Sequence, residues 1–556
     1  MTEAGYKTLC RGYLMEGETP RAMYKRLARA SSSSLGSFAL SRSLESKFFD
    51  YMWKGWLCPA SPVAANLGTS RGLPISCFGM SIPDSVEGIM SSIYEVALLS
   101  KHGGGIGTYW GEVRPRNSII SSNGVSDGIV PFLKILDATT IGISQGGTRR
   151  GASSAYLPIE HDDFDEFIEI RRPQGDTNRQ CLNIHHGVTI GDDFMRKVEE
   201  GDEEARQRWT KLIKSRFETG EPYLMFRDTA ENNRPECYVK NDLHVKTSQL
   251  CSEILLHTDE DHTFVCCLSS LNLARWEEWK ETDLPEVATY FLDGVITEFI
   301  EKAKDKSGFE RAVRFAEKSR AIGIGVIGFH TLLQSKMEPF EGTPAHILNS
   351  LIFKYIREGA ERATALLASS LGEPEWCKGF GRRNTHLMAV APTVSNSTIA
   401  GGVSKGVEPI VANAYSEKTA KGTFFIKNRL LEDLLESKGK STPEVWRSIV
   451  LDEGSVQGLD FLSEEEKMVF LTAREINQYA IVRLAATRQR WIDQGQSINL
   501  FFPANPDARY LHQVHMAAWK QGMSTLYYCR SSSVLRGDVG SRGHTREATD
   551  CVACEG

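Results

Sequence analysis

No stretch of this chain stays apolar long enough to cross a bilayer. Its first residues lack the charged-then-apolar order of a secretory signal. No block of Lys and Arg stands out, and the formal net charge is -6, which argues against a nucleic-acid partner or a polybasic hold on a membrane. No internal repeat is visible, so nothing points to a solenoid. These absences lead us to expect a cytoplasmic protein, in host cytoplasm if the source is viral, where thiols stay reduced. The 12 cysteines are then free thiols, metal ligands or catalytic groups rather than a disulfide framework.

What is present is an ordinary globular composition: 41% hydrophobic and 24% charged over 556 residues, enough for a few domains or one large barrel. Residues 1–57 read as a helical region, with Thr19 and Pro20 as a start signal. Residues 58–528 alternate strand-like runs ("GFHTLL", "LMAVAPT", "SINLFF") with helical patterns such as "SLIFKYIREGAERATALLASSL", which predicts an α/β core. Ser463 and Glu466 predict a capping box opening one long helix through "MVFLTAREINQYAIVRLAATRQRW". Residues 529–556 are rich in Ser, Gly, Arg, Thr and Asp and read as a flexible tail.

Taken singly, the chemically interesting stretches are ambiguous. Cys77 in "PISCFG" could be a small buried hydrophobe. The glycines of "KHGGGIGTYW" and "SQGGTRRGA" suit close approach of a ligand or a plain turn. In "SQLCSEI" an extended backbone points Cys251 and Glu253 the same way, a pairing fit for hydrogen transfer and general-base work. "VCCLSSLNL" carries Cys266 and Cys267. "APTVSNSTIAGGVSKGVEP" offers hydroxyls and N–H groups to an anion, or caps itself. Tyr527 and Tyr528 are adjacent, as packing residues often are. His185 and His186 lack ligand companions at metal spacing and are read as structural.

Taken in order, "PISC", "GGGIG", "SQGG-R-GA", "LCSEI", "CCLSSLNL", "APT-S-S", "GVEP", "IDQGQS", "LYY" and "CVAC" resemble the large, catalytic subunit of class I ribonucleotide reductase, from "GETPRAMYKRLA" to the last residue. The resemblance implies a ten-stranded α/β barrel with a central finger loop. It makes Cys251 the thiyl-radical residue that takes the substrate's 3'-hydrogen and Glu253 the base at the 3'-hydroxyl. Cys77 and Cys266 become the reducing pair; Cys266 is preferred to Cys267 by counting back from Asn272. Gln249 stands where the family usually has Asn, which contacts the sugar. Thr393, Val394, Ser395, Asn396 and Ser397 would hold the substrate phosphates, and Ser61, Ser76, Gly105 and Arg149 the rest of the nucleotide. Asp84, Ser85 and Arg114 match an allosteric site for ATP/dATP, dTTP or dGTP, with "SQGGTRRGA" as its relay.

The same resemblance implies partners. Tyr527 and Tyr528 would carry a radical inward from a separate, metal-containing small subunit, with no metal or cofactor bound by this chain. Cys551 and Cys554 would re-reduce the buried disulfide and be recharged by thioredoxin or glutaredoxin. A flexible chain from Tyr528 to Cys551 spans roughly 25 Å on average and about 75 Å when extended, which suits a shuttle. A homodimer is compatible with the pattern. The start of the chain matches the catalytic region, so an ATP cone of the usual kind is not expected, a compactness known among phage enzymes. The tyrosine pair favours class I over the adenosylcobalamin-dependent class, and no "RVCGY"-like stretch suggests the glycyl-radical class. A non-catalytic regulatory subunit is the remaining alternative, disfavoured by the full cysteine and Glu253 set.

Overall fold

The computed structural model describes residues 2–39, 41–75, 77–120, 124–143, 151–419 and 422–531. Three helices come first, Glu3–Cys10, Pro20–Ser34 and Ser41–Trp53. The second starts where Thr19 accepts a hydrogen bond from the Ala22 N–H, with Pro20 at a position where no N–H is needed.

Beyond them the chain builds a barrel from two halves. In the first half, strands Cys77–Ser81, Gly105–Tyr109, Ala152–Pro158, His185–Ile190 and Tyr223–Phe226 lie side by side and parallel. In the second, Phe264–Asn272 runs parallel to Ile322–Ile327. The row continues through single parallel bridges, Ile324 to Met388 and Val390 to Gln496, and ends with Leu500–Phe501 beside Cys529–Arg530. Two antiparallel seams join the halves: Cys77–Ser81 against Phe264–Asn272, and Tyr223–Phe226 against Thr525–Leu526. Both edges are thus consumed, and the ring of ten strands closes on itself.

Two local expectations change. "GFHTLL" is not a strand: Phe329–Ser335 is a helix, and the strand is the preceding Ile322–Ile327. Gly328, at φ +80°, makes the switch between them. The capping box at Ser463 and Glu466 forms, but its helix ends at Val469. Glu475 draws in the Thr472 N–H and hydroxyl at 2.7 and 2.8 Å, and Asn477 caps a new helix, Gln478–Gln489. Side-chain oxygens here offer the backbone better partners than continued helix would.

Among the described residues no helix is long and apolar enough to cross a membrane.

Candidate active site

A loop from Asn241 to Thr263 leaves the wall and is buried from Thr247 to Thr258. Small residues make room for it. A Cβ on Gly107 would stand 2.1 Å from the Ser248 carbonyl oxygen and 2.7 Å from the Gln249 Cα, so the strand can pass the loop only as glycine.

A buried irregular backbone must find partners for its polar groups, and this one finds them nearby. Tyr156 donates its hydroxyl to the Gln249 carbonyl at 2.8 Å. Ser497 donates to the Cys251 carbonyl at 2.5 Å, and the Gly495 N–H to the Glu253 carbonyl at 2.8 Å. Ser252 sits at φ +69°, the turn that carries the tip around. Gln249 braces that turn from within: its Oε1 accepts the Cys251 N–H at 2.9 Å and its Nε2 donates to Glu253 Oε2 at 2.8 Å. Ser497 reaches the same Oε2 at 3.1 Å. Two donors therefore orient the Glu253 carboxylate. Both ends of the Gln249 amide bond within the loop.

Cys77 and Cys266 face each other across the antiparallel seam, in direct register. Alternation along the strand sends Cys266 and Cys267 to opposite faces. Gly323 marks the Cys266 face, since a Cβ there would meet Cys266 Sγ at 3.3 Å. Burial, then the neighbouring Cys267, Cys77 and Glu253, pushes the Cys266 thiol well above its ordinary range, against the pull of the Gln494 amide 3.8 Å away. Burial, with Cys77 and Asp293, raises Cys267 as well. Gly105 is the register neighbour of Cys77 on the other side.

Tyr527 and Tyr528 belong to a buried cluster inside the barrel with Tyr109, Ala152, Tyr156, Tyr223, Leu250 and Cys251. Their ring centroids are 4.3 Å apart, and Tyr223 lies 4.7 Å from Tyr527 and 5.1 Å from Tyr528. Arg530 covers the Tyr528 ring at 4.3 Å. The Tyr528 hydroxyl is 3.5 Å from His185 Nδ1. His185 and His186 both bind the buried Glu221, at 2.6 and 3.1 Å, with Arg171 at 3.4 Å. Burial opposes the Glu221 charge, yet Arg171 and the histidines hold its carboxyl well below the usual range.

Thr393 stands at φ +60° just before the one-turn helix Val394–Ile399, which brings Val394, Ser395, Asn396 and Ser397 to its start. Thr393 Oγ1 accepts the Gly406 N–H at 2.8 Å and ties this turn to the stretch bearing Glu408. Ser61 opens another short helix and accepts the Tyr13 hydroxyl at 2.9 Å. Asp84 and Arg114 form an ion pair at 2.8 Å, while Ser85 caps the helix Val86–Lys101. Ser76, Arg149, Cys551 and Cys554 lie outside the described residues.

Four contributors were not singled out from the sequence: Ser497 and Gln494, although "IDQGQS" had marked their segment, and Tyr156 and Tyr223. Glu408 of "GVEP" acts at one remove. Its carboxylate accepts from the Asn499 N–H at 2.8 Å and from Asn499 Nδ2 at 3.1 Å, and Asn499 Oδ1 accepts the Tyr528 N–H at 3.1 Å.

Comparison with known proteins matches residues 1–72 to the family model for the ribonucleotide reductase all-alpha domain. It matches residues 75–205, 202–380 and 375–529 to the ribonucleotide reductase barrel domain. A Frog virus 3 (isolate Goorha) relative is 42% identical over 531 residues, 92% of this chain and 93% of its own. The ribonucleoside-diphosphate reductase large subunit of Invertebrate iridescent virus 3 is 36% identical, covering 99% of this chain and 98% of its own. Among solved structures, the Actinobacillus ureae class Id ribonucleotide reductase alpha subunit superposes with a TM-score of 0.88 at 43% identity, over 96% of this chain and 98% of that one.

Proposed function

The chain belongs to the ribonucleotide reductase large-subunit family, class I, which reduces ribonucleotides to 2'-deoxyribonucleotides, and on that basis we propose how its residues divide the work. Cys251, as a thiyl radical, takes the 3'-hydrogen of the bound ribonucleotide. Glu253 accepts the proton of the 3'-hydroxyl, oriented for it by Gln249 and Ser497. The 2'-hydroxyl leaves as water with a proton from the Cys77/Cys266 pair. The pair supplies two electrons and, as its second hydrogen, the one that replaces the hydroxyl on C2', and closes to a disulfide; Glu253 returns its proton to the 3'-oxygen, and Cys251 returns its hydrogen to C3' and is a thiyl radical again. Burial bears on this use of Cys266: it pushes the thiol pKa up, which keeps the group a thiol rather than a thiolate until substrate reacts. The closed barrel keeps water from the radical.

The observation that carries this reading is the direct register of Cys77 with Cys266 in the same barrel as the tip that holds Cys251 and Glu253. Tyr527 and Tyr528 relay the radical from a metal-containing small subunit, a role their cluster with Leu250 and Cys251 supports. Cys551 and Cys554 reopen the disulfide and are themselves reduced by a thioredoxin-type protein. The substrate diphosphate or triphosphate lies on Thr393–Ser397, and the remaining contacts come from Ser61, Ser76, Gly105 and Arg149. Asp84, Ser85 and Arg114 take an effector nucleotide. The exposed Val86, Met90 and Tyr94 on the helix beside that site support a homodimer through this face.

The test is reconstitution with a cognate small subunit and a thioredoxin system. Deoxynucleotide should form with the small subunit present. Turnover that instead required adenosylcobalamin, without any small subunit, would overturn the proposed route of the radical.

A further inference from the structure

The segment that returns the chain from the finger loop to the wall reads "HTDEDH", residues 257–262, and the mechanism uses none of it. It gathers His257, Asp259 and His262 so that one donor atom from each lies within 4.8 Å of the others. His257 Nε2 is 3.0 Å from Asp259 Oδ2, and His262 Nδ1 is 2.8 Å from Asp259 Oδ1. The turn is built before any ligand arrives. The Thr258 hydroxyl donates to the His262 carbonyl at 2.8 Å, and the Asp261 N–H to Asp259 Oδ1 at 2.8 Å.

The surroundings fit a cation. Both imidazoles are buried, while the Asp259 side chain is 38% exposed, which leaves a mouth to solvent. Trp376 walls the far side, its ring 5.7 Å from His257 and 5.1 Å from His262. His257 Nδ1 stands 3.0 Å from the His244 carbonyl and 3.0 Å from the His244 N–H. The His244 N–H donates to Nδ1, so Nε2 holds the proton that faces Asp259 Oδ2; a cation bound at Nε2 would displace that proton, and Nδ1 would then donate to the His244 carbonyl. An imidazole braced from behind by a backbone carbonyl is the usual arrangement at a metal. The nearby cations are engaged elsewhere. Arg311 holds Glu95 at 2.9 Å and the Asp259 carbonyl at 2.6 Å, and Arg314 holds Asp261 at 3.1 Å.

We propose that His257, Asp259 and His262 bind a first-row divalent cation of the zinc type, with water completing the coordination. Two imidazoles and one carboxylate suit Zn2+ or Co2+ better than Mg2+ or Ca2+, which prefer all-oxygen cages. The ion would pin the exit of the finger loop. It would join the segment that follows Glu253 to the start of Phe264–Asn272, the strand that carries Cys266.

The experiment is a Co2+ titration of the full-length, reduced, chelator-stripped protein, followed by optical absorption. A site of two histidines and a carboxylate gives weak visible bands. Binding at the chain's cysteines would add strong thiolate-to-cobalt absorption in the near ultraviolet. We expect a single site with weak bands, displaced by Zn2+, and a Zn2+-dependent rise in melting temperature. Asp259→Asn and His262→Gln should each lower the Co2+ affinity by about 100-fold. Should Asp259→Asn fail to fold, His257→Gln, which keeps an amide facing Asp259, carries the same expectation. Absence of the weak bands, their survival undiminished in the variants, or bands dominated by thiolate absorption would overturn the proposal and leave a hydrogen-bonded bridge only.

Discussion

The two halves of the barrel are built differently. In the first, each strand pairs with the next through four or five consecutive residues. In the second, only the seam strand and its neighbour pair so fully, and two of the junctions shrink to single bridges at Met388 and Gln496. Where the ladder breaks, side chains take over its hydrogen bonds. Asp493 accepts from the Leu387 and Met388 N–H groups at 3.0 Å each and pairs with Arg357 at 2.6 Å. Gln494, Ser497 and Asn499, in the same segment, reach Cys266, the finger tip and the Tyr528 backbone. The regular half is a wall. The irregular half is a wall that also aims the chemistry, because a residue freed from strict pairing can point a polar group inward.

If that contrast is right, changes at the tip and on the irregular half should cost turnover first, and changes on the regular half away from Cys77 and the tyrosine cluster should cost only stability. The largest effect is expected from Cys251→Ser at the tip. It should bind nucleotide as before and form no deoxynucleotide, since a serine O–H is too strong to relay the radical; residual turnover above a few per cent would refute the assignment. Next comes a pair on one strand. Cys266→Ser should abolish steady-state turnover with a protein reductant, while Cys267→Ser should stay within about two-fold, because alternation turns it to the other face. Equal losses in both would erase the distinction between the two faces.

Asp493→Asn tests the broken ladder itself. Arg357 keeps Glu361 at 2.5 Å but loses its buried carboxylate partner, which should cost about 1.5–3 kcal/mol in denaturant unfolding. The pH dependence follows from the same residue. Burial opposes the Asp493 charge, but Arg357, His386 and the Met388 N–H prevail and lower its folded pKa. Its stabilisation is therefore complete above the unfolded carboxyl value of about 3.9 and is lost as pH falls through the lower folded value. The variant should show a flatter stability profile across that acid range, and an unchanged profile would show that another carboxylate carries it.

Ser497→Ala removes a donor to both Cys251 and Glu253. A loss of about ten-fold or more in kcat with little change in melting temperature would reinforce the contrast, in keeping with about 1.5–3 kcal/mol for one hydrogen bond to a charged group. The smallest effect is expected on the regular half. Ser153→Ala removes one of two acceptors of the Thr140 hydroxyl, 3.1 Å away, and leaves the Leu136 carbonyl at 2.9 Å; it should cost about 0.5–1 kcal/mol of stability with kcat unchanged. A clear loss of kcat there would mean that both halves aim the chemistry.

The order of residues alone was enough to establish the class of the molecule and much of its local structure. The Thr19 and Ser463 caps were legible because a cap is a contact between residues three apart, and the ordered motifs were legible because each is a short run. Cys266 and Cys267 could be told apart only by a count along the chain, since both are buried thiols on one strand. Register against Cys77 separates them, and register is a property of two strands distant in the chain. The same limit hid Ser497 and Gln494, whose partners lie hundreds of residues away. It also left open the setting of Gln249, whose amide braces a buried turn that exists only once the barrel has closed around it. Local chemistry is written in neighbouring residues; the convergence of distant ones is decided by how the ring of strands closes.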